Sequence, residues 1–410
     1  MSSPSNLNAN KELLHNKSFL LVCFTRVFST LASQMLAVSV GWQIYALTNS
    51  SFYLGLVGLA QFLPMALLTL MVGHVADRYN RRIVLSICQF IEGAGVLTLA
   101  AGSYYGWLNK ESILLIMVLF GAVHAFEGPT LQALLPNVVS IEHFSTAIAW
   151  TTSLTQTAII VGPALGGFLY VCGPAVVYLV IGPLFLVASL LVFQLQIKAT
   201  SFKRNEINLQ SLLAGITFIR RKPELLGAIS LDLFAVLLGG ATALLPIYAQ
   251  DILHIGPSGL GILRAAPAVG ALLMSTFLAR HPLQQRAGKI MFISVIVFGI
   301  ATLIFAISTS FILSIAALII LGASDVISVV IRSSLVQLKT PDEMRGRVSA
   351  VNMLFIGTSN QLGEFESGLT ASLFGTIPAV LIGGVGTIVV AIIWMRVFPE
   401  LLHVKNLKQA

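Results

Sequence analysis

The sequence predicts an all-α integral membrane protein with twelve transmembrane helices. Between Lys17 and Pro399, twelve apolar stretches of about twenty residues alternate with short polar loops, and a helix needs about 20 such residues to cross a bilayer. Only 10% of the 410 residues are charged and 56% are hydrophobic. A soluble chain of this length would carry more than twice that share of charge. Lysines and arginines also concentrate in alternate loops, as multi-pass proteins require.

The predicted spans follow these apolar stretches in order. Residues 1–16 are polar and lack the apolar core of a signal peptide, so the first stretch is predicted to be a retained span. We place the twelve spans at 18–47, 52–75, 82–107, 112–137, 143–171, 175–197, 224–250, 257–280, 287–309, 311–337, 347–374 and 377–398.

The positions of the basic residues predict the orientation. All but four of the 24 lysines and arginines lie on the side of the N-terminus; Lys110 lies on the other side, and Arg26, Arg264 and Arg332 lie inside spans. The positive-inside rule therefore predicts cytoplasmic termini in a bacterial inner membrane. The formal charge of +8 sits at membrane edges and forms no continuous basic patch, so we expect membrane lipids and no nucleic acid as partners.

The longest polar loop, residues 198–223, divides the chain into two halves. Its latter part, residues 208–222, has apolar residues at helical spacing and a basic end. This pattern predicts a helix on the cytoplasmic membrane surface, with a solvated tether as the alternative. The predicted organisation is a cytoplasmic tail, a six-helix bundle, this linker, a second six-helix bundle and a second cytoplasmic tail, at 1–16, 17–197, 198–223, 224–398 and 399–410.

The two halves resemble one another in their glycines. A Gly-x4-Gly frame occurs at Gly162 and Gly167 in the fifth span and at Gly363 and Gly368 in the eleventh. Duplicated halves are typical of transporters in which two bundles rock around a central site.

The loop between the second and third spans carries the most specific motif. Gly73, Asp77, Arg78, Arg81 and Arg82 match the pattern G-x-x-x-D-R-x-x-R-R, and here the chain resembles the major facilitator superfamily. The glycine lets a neighbouring helix approach closely. The resemblance implies two pseudo-symmetric six-helix bundles, a monomer, and a cytoplasmic gate in which Asp77 accepts hydrogen bonds from a facing helix. The alternative is that these residues only anchor the loop in the cytoplasm. The corresponding loop after the eighth span lacks the acidic residue.

A second motif lies in the fifth span. Gly162, Pro163, Gly166 and Gly167 resemble the G-P-x-x-G-G core that the superfamily's antiporters and exporters carry there. Proline removes a helical hydrogen bond and bends the helix. The resemblance favours export, although the further glycines of the wider motif are absent, and the alternative is a packing role only.

A third resemblance narrows the subgroup. The run from Gln337 to Val348 reads Q-L-K-T-P-D-E-M-R-G-R-V and is similar to a stretch in the subgroup that includes the bacterial enterobactin exporter. The acidic residues after Pro341 suit the first turn of a helix. This resemblance implies a siderophore-like or other amphiphilic small molecule as the substrate.

Ionisable residues inside the spans are functional candidates, because burying one costs about 2.5–3.5 kcal/mol on insertion scales. Four of these candidates are Glu92, His124, Glu364 and Glu366. By resemblance, spans one, four, seven and ten line the cavity, which makes Arg26, Glu127, Asp232 and Asp325 the cavity candidates.

We predict that Asp232 is the first candidate for a proton carrier and Glu127 the second, with Arg26 as a counter-charge or anion contact. His124 and Glu127 are three residues apart and share a helix face. Glu364 and Glu366 are two apart, point to nearly opposite sides and should not pair. The alternative is that these charges form static ion pairs between helices. Arg264 and Arg332 are expected to extend to the interface.

No pattern predicts an enzyme, a cofactor or a metal site. The phosphate-binding motif G-x-x-x-x-G-K-[ST] is absent, which argues against ATP as the energy source. Cys23, Cys88 and Cys172 lack metal-ligand spacing and are expected to be small buried side chains. The sequence therefore predicts a proton-coupled antiporter that works by alternating access. The alternatives are a lysophospholipid or multidrug transporter and, in another class, a non-transporting receptor or scaffold.

Overall fold

The computed structural model describes residues 12–78, 80–195, 209–281, 283 and 285–404, with the side chains of 69–78, 129, 132, 133, 141, 209–212, 342 and 350 excepted. These residues are helical, without β-strands in the described ranges. The helices of the first half are α1 Lys17–Thr48, α2 Ser51–Arg78, α3 Arg81–Tyr105, α4 Lys110–Val138, α5 Phe144–Tyr170 and α6 Pro174–Phe193. They are followed by α7 Leu209–Arg220, α8 Pro223–Leu238, α9 Gly256–Arg280, α10 Ala287–Ile307, α11 Phe311–Lys339, α12 Asp342–Phe374 and α13 Thr376–Val397.

Each predicted span corresponds to a helix, which confirms the all-α membrane architecture. Within the described residues, 11 helical segments are long and apolar enough to cross a membrane. Helix α12 is not one of them, although its 33 residues extend for about 50 Å. It carries Asn360, Gln361, Glu364 and Glu366 in its second half, and these polar residues lower its hydropathy.

The seventh predicted span, 224–250, corresponds to an apolar segment long enough to cross a membrane at Pro223–Ile252, but this segment is not one continuous α-helix. Helix α8 ends at Leu238, and Gly239 caps it. Three short helical turns then follow, at Ala241–Leu244, Leu245–Ile247 and Tyr248–Ile252. Two consecutive glycines favour such a break, because glycine weakens a helix by about 1 kcal/mol relative to alanine.

The chain divides into two compact units. Unit 1 comprises residues 1–43 and 63–206, and unit 2 comprises 44–62 and 207–410. The end of α1 and the first part of α2 therefore pack with the second half of the chain.

Glycine pairs bring helices close together in the same way in both units. In unit 1, α3 and α6 meet at Gly93 and Gly182, where a Cβ on Gly93 would lie 3.2 Å from the Gly182 carbonyl oxygen. In unit 2, α10 and α13 meet at Gly299 and Gly384, with the corresponding distance 3.0 Å. These contacts are the small-residue packing that membrane helices use.

The Gly-x4-Gly frame also has the same structural role in each unit. A Cβ on Gly162, the first glycine of the frame in α5, would lie 3.2 Å from the carbonyl oxygen of Leu31 in α1. A Cβ on Gly363 of α12 would lie 3.1 Å from the carbonyl oxygen of Val236 in α8. Gly166, next to the second glycine of the frame, packs on the backbone of Met35 in α1. In both units, the frame lets the fifth helix of a half contact the first.

Two smaller features concern the linker and the cysteines. Helix α7 forms inside the range predicted for the linker helix, and its Gly215 packs against the backbone of Arg347 at the start of α12. Cys23 and Cys88 are buried as expected, but Cys172 is exposed. The prediction for Cys172 is wrong because this residue lies in the turn after α5 rather than inside the helix.

Candidate functional site

Unit 1 contains a cluster of ionisable side chains between α3 and α4. Glu92 lies on α3, and His124 and Glu127 lie on α4. The Nε2 atom of His124 is 3.4 Å from Oε1 of Glu92 and 3.9 Å from Oε2 of Glu127. One ligand atom from each of the three residues lies within 4.8 Å of the other two. We call this group the Glu92–His124–Glu127 cluster.

Gln89 completes the surroundings of the cluster. It lies one turn before Glu92 on α3, is fully buried, and donates a hydrogen bond from Nε2 to Oε1 of Glu127. Glu92 is 1% exposed and Glu127 is 9% exposed. In contrast, the side chain of His124 is 33% exposed, so the imidazole is the accessible side of the cluster.

Neither carboxylate of the cluster forms an ion pair with a lysine or arginine in the described part of the chain. Helix α6, which packs on α3, contains no charged residue. Arg82, at the start of α3, is about 15 Å from Glu92 along the helix axis. A buried carboxylate without a compensating charge is costly, so the cluster needs protons or a cation.

Arg26 is a charged residue in the interior of α1. Its Nη2 donates a 3.1 Å hydrogen bond to the carbonyl oxygen of Leu131 in α4, and its Nε has no hydrogen-bond partner. In the structure, Arg26 therefore links α1 to α4 through a backbone group.

In unit 2, Asp232 of α8 and Arg332 of α11 form a buried ion pair. Asp232 is 5% exposed and Arg332 is 3% exposed. The expectation that Arg332 extends to the interface is wrong, because a neighbouring carboxylate neutralises its charge inside the bundle. A second, half-buried pair joins the same two helices nearer their ends, with Nζ of Lys339 2.8 Å from Oε1 of Glu224.

A small cavity lies beside the buried pair. Its lining includes Asp232, Asp325, Phe298 and the serines Ser294, Ser324 and Ser328. The cavity is about large enough for one water molecule. The hydroxyl of Ser328 is buried and has no hydrogen-bond partner. Two predicted site residues, Asp232 and Asp325, are thus brought to one cavity, and among the described residues Arg332 is the only basic group that forms an ion pair with either.

The two acids of α12 lie in different surroundings. The carboxyl group of Glu364 lies against Gly58 of α2, where an added Cβ would be 3.1 Å from Oε2 of Glu364. Glu364 also interacts electrostatically with Arg264. Oε1 of Glu366 accepts a 2.8 Å hydrogen bond from Thr370 on the same helix. The structure therefore gives the two carboxyl groups separate partners.

The family follows from a comparison with known proteins. The model of the transmembrane secretion effector family, a family of major facilitators, matches residues 12–408. The chain belongs to the major facilitator superfamily.

Relatives and solved structures agree with this assignment. Enterobactin exporter EntS of Escherichia coli (strain K12) is 26% identical over 399 residues, with 95% of this chain and 94% of that protein covered. EntS of Citrobacter koseri is 27% identical, with coverages of 94% and 92%. A bacterial homolog of the human lysosomal transporter Spinster has a TM-score of 0.74 at 14% identity, with 93% of this chain and 97% of that chain covered. Nucleoside transporter NupG has a TM-score of 0.71 at 17% identity, with coverages of 93% and 99%. The chain is therefore a multi-pass membrane transporter and not an enzyme.

The gate motif of this major facilitator lies partly outside the described residues. The side chains of Gly73, Asp77 and Arg78 are not described, so the role of Asp77 stays a prediction. Arg82 is described: its Nη1 donates a 2.9 Å hydrogen bond to the carbonyl oxygen of Leu195, and its guanidinium lies 5.3 Å from the centre of the Phe193 ring. Arg82 thereby fixes the start of α3 to the end of α6 in unit 1.

Two polar contacts of this transporter are not predicted by its sequence. The hydroxyl of Tyr45 donates a hydrogen bond to Asp251 in unit 2. In unit 1, the hydroxyl of Tyr178 donates to Oε1 of Gln43 over 2.6 Å, and Nε2 of Gln43 donates to Ser103 over 3.0 Å. Asp251 is exposed and falls after the predicted seventh span, so the sequence offers no signal for its contact with Tyr45. Tyrosine and glutamine inside a span would have been the signal for the second contact.

Proposed function

We propose that the protein is a proton-coupled exporter of a siderophore-like or other amphiphilic small molecule. It would work as a monomer in a bacterial inner membrane, with both termini in the cytoplasm, by alternating access of its two halves. The similarity to enterobactin exporters over 95% of the chain supports export. The glycine frames that recur in both units support a transporter built from two similar bundles.

The observation that carries proton coupling is the cavity of unit 2, where two aspartates line one space and a single arginine pairs with one of them. Asp232 is neutralised by Arg332, whereas Asp325 has no ion-pair partner in the described part of the chain. A proton on Asp325 would balance the charge of the three groups. The unpaired Ser328 hydroxyl and space for a water molecule provide a place through which a proton can reach Asp325.

This arrangement changes the order of the sequence-based candidates. Asp232, the first candidate, is held by an arginine, so its charge is already balanced without a proton. We assign proton binding to Asp325, with Asp232 and Arg332 as the neighbouring ion pair. Binding and release of a proton at Asp325 would change the net charge of the cavity, and a charge change of this kind can shift the equilibrium between two conformations.

The variant Asp325→Asn tests the proposal, because asparagine resembles the protonated acid but cannot release the proton. We expect proton-gradient-driven transport to fall at least about tenfold, with exchange of substrate between the two sides of the membrane retained. Gradient-driven transport and substrate exchange are both measured on purified protein in proteoliposomes. The proteoliposomes contain a pH-sensitive dye and are supplied with a catecholate siderophore. Glu400→Gln, an exposed acid of the same unit, is the control and should behave as the wild type. Normal proton flux in Asp325→Asn would overturn the assignment.

The substrate class is tested by thermal unfolding in detergent. A ligand present at about 100 times its dissociation constant stabilises the folded protein by roughly 2.7 kcal/mol. We expect catecholate or carboxylate siderophores to raise the unfolding midpoint. A response to lysophospholipids or lipophilic cations alone would favour the alternative transport functions, and would contradict the siderophore proposal.

A further inference from the structure

The Glu92–His124–Glu127 cluster has no part in the proton step at Asp325, and it lies in the other unit. Its donor atoms are one imidazole nitrogen and carboxylate oxygens, which converge from α3 and α4. We propose that this cluster binds one divalent transition-metal cation of the Zn²⁺ type. Nitrogen and oxygen donors of these kinds suit Zn²⁺ and the related first-row metals.

The distances support a site that needs little rearrangement. Zinc ligands with bonds of about 2.1 Å lie about 3.4 Å apart in a tetrahedron. His124 Nε2 and Glu92 Oε1 are 3.4 Å apart, and His124 Nε2 and Glu127 Oε2 are 3.9 Å apart. All three donor atoms lie within 4.8 Å of one another, so a contraction of at most about 1.4 Å between any two of them would bring three ligands to one ion and leave a fourth position for water or another ligand.

Unpaired buried oxygens provide the second, independent observation. Glu92 is 1% exposed, and its Oε2 atom has no hydrogen-bond partner; the Oε1 atom of the fully buried Gln89 has none either. An unpaired buried acceptor costs about 1–3 kcal/mol. A cation at the cluster would neutralise the carboxylates and give the unpaired Glu92 group a favourable partner.

The surroundings of the cluster also favour a cation. Gln89 donates to Glu127, as residues behind a metal ligand commonly do to orient it. The imidazole of His124 is partly exposed, so the cluster is not fully enclosed by protein. No arginine or lysine of the described chain forms an ion pair with the two carboxylates, so no resident cation competes for them.

Calorimetric titration of the tag-free, metal-depleted full chain in detergent with ZnCl₂ tests this inference. We expect one Zn²⁺ per chain, with binding weakened at least about 100-fold in His124→Gln and in Glu92→Gln, and about 10–100-fold in Gln89→Ala. His143→Gln is the matched control: it removes a histidine of unit 1 that pairs with Glu12 and not with the cluster. Its affinity should equal that of the wild type.

The Gln89→Ala variant keeps all three ligands, so it remains informative if the ligand variants do not fold. Co²⁺ in place of Zn²⁺ gives a second readout, because its visible spectrum should lose its nitrogen-ligand character in His124→Gln. Absence of one-to-one binding in the wild type, or unchanged affinity in both Gln89→Ala and His124→Gln, would overturn the metal site. Proton binding without metal binding at the cluster would also overturn it. Metal binding is measured without transport, so its failure is distinguishable from failure of the exporter proposal.

Discussion

Replacing Arg332 with methionine alone is expected to lower the free energy of unfolding by about 3–5 kcal/mol, because it leaves the Asp232 carboxylate buried without a partner. Both residues of this pair are at most 5% exposed. The double variant Arg332→Met with Asp232→Leu should recover most of this loss, since it removes both charges together. Unfolding in mixed detergent micelles, followed by circular dichroism, gives the four free energies of the cycle.

The second ion pair between the same helices is the internal control. The side chains of Lys339 and Glu224 are 19% and 23% exposed, so water screens this pair more than the buried one, and ion pairs in contact with water contribute about 0–1 kcal/mol. Lys339→Met should therefore change the unfolding free energy by less than about 1 kcal/mol, with a small coupling to Glu224→Leu. Equal coupling energies for the two pairs would show that burial does not set the strength of the Asp232–Arg332 pair.

Most of the fold could be predicted from the sequence, because the bilayer imposes its own length and polarity on each helix. Each of the twelve apolar runs contains a helix in the structure. For example, the span predicted at 311–337 is the helix Phe311–Lys339. The seventh span shows the limit of this argument. Hydropathy does not distinguish a continuous apolar helix from one interrupted at Gly239 and Gly240, since the apolar character continues through the break.

The site was harder to predict because sequence places a residue on a span but not against its partner. Arg332 lies seven residues from the end of α11, and this position alone predicted that it extends to the interface. The structure instead places it opposite Asp232, 100 residues earlier in the chain. The Glu92–His124–Glu127 cluster was hard to predict for the same reason. Only the i, i+3 spacing of His124 and Glu127 is visible in the sequence, because Glu92 comes from another helix.

Glycine positions were partly predictable for a related reason. The repeated Gly-x4-Gly frame indicated helix packing, and the structure gives Gly162 and Gly363 close neighbours in the first helix of their own halves. The partner of Gly368 could not be predicted, because residues 44–62 of the first half pack within unit 2. Such an exchange between halves leaves no periodic signal in the sequence.

Replacing Gly368 with leucine is expected to abolish most transport and to lower the unfolding midpoint by several degrees. A Cβ on Gly368 would lie 2.6 Å from the nitrogen of Gly55 and 2.7 Å from the carbonyl oxygen of Ser51. These are backbone atoms of α2, which cannot move aside as a flexible side chain can, and overpacking of this kind costs about 1–3 kcal/mol or more. Transport in proteoliposomes and thermal unfolding in detergent measure the two effects.

Two further variants show whether the contact between α2 and α12 is responsible. Gly346→Leu changes the same helix at a glycine whose Cβ would have no neighbour within 4 Å, so it should transport and unfold like the wild type. Gly55→Leu should reproduce the defect of Gly368→Leu, because a Cβ there would lie 2.9 Å from the carbonyl oxygen of Phe365. The two changes disrupt one interface, so their combination should cost less than the sum of the single effects. Additive losses, or a defect in Gly346→Leu as large as that in Gly368→Leu, would mean that the backbone contact between Gly55 and Gly368 is not what transport depends on.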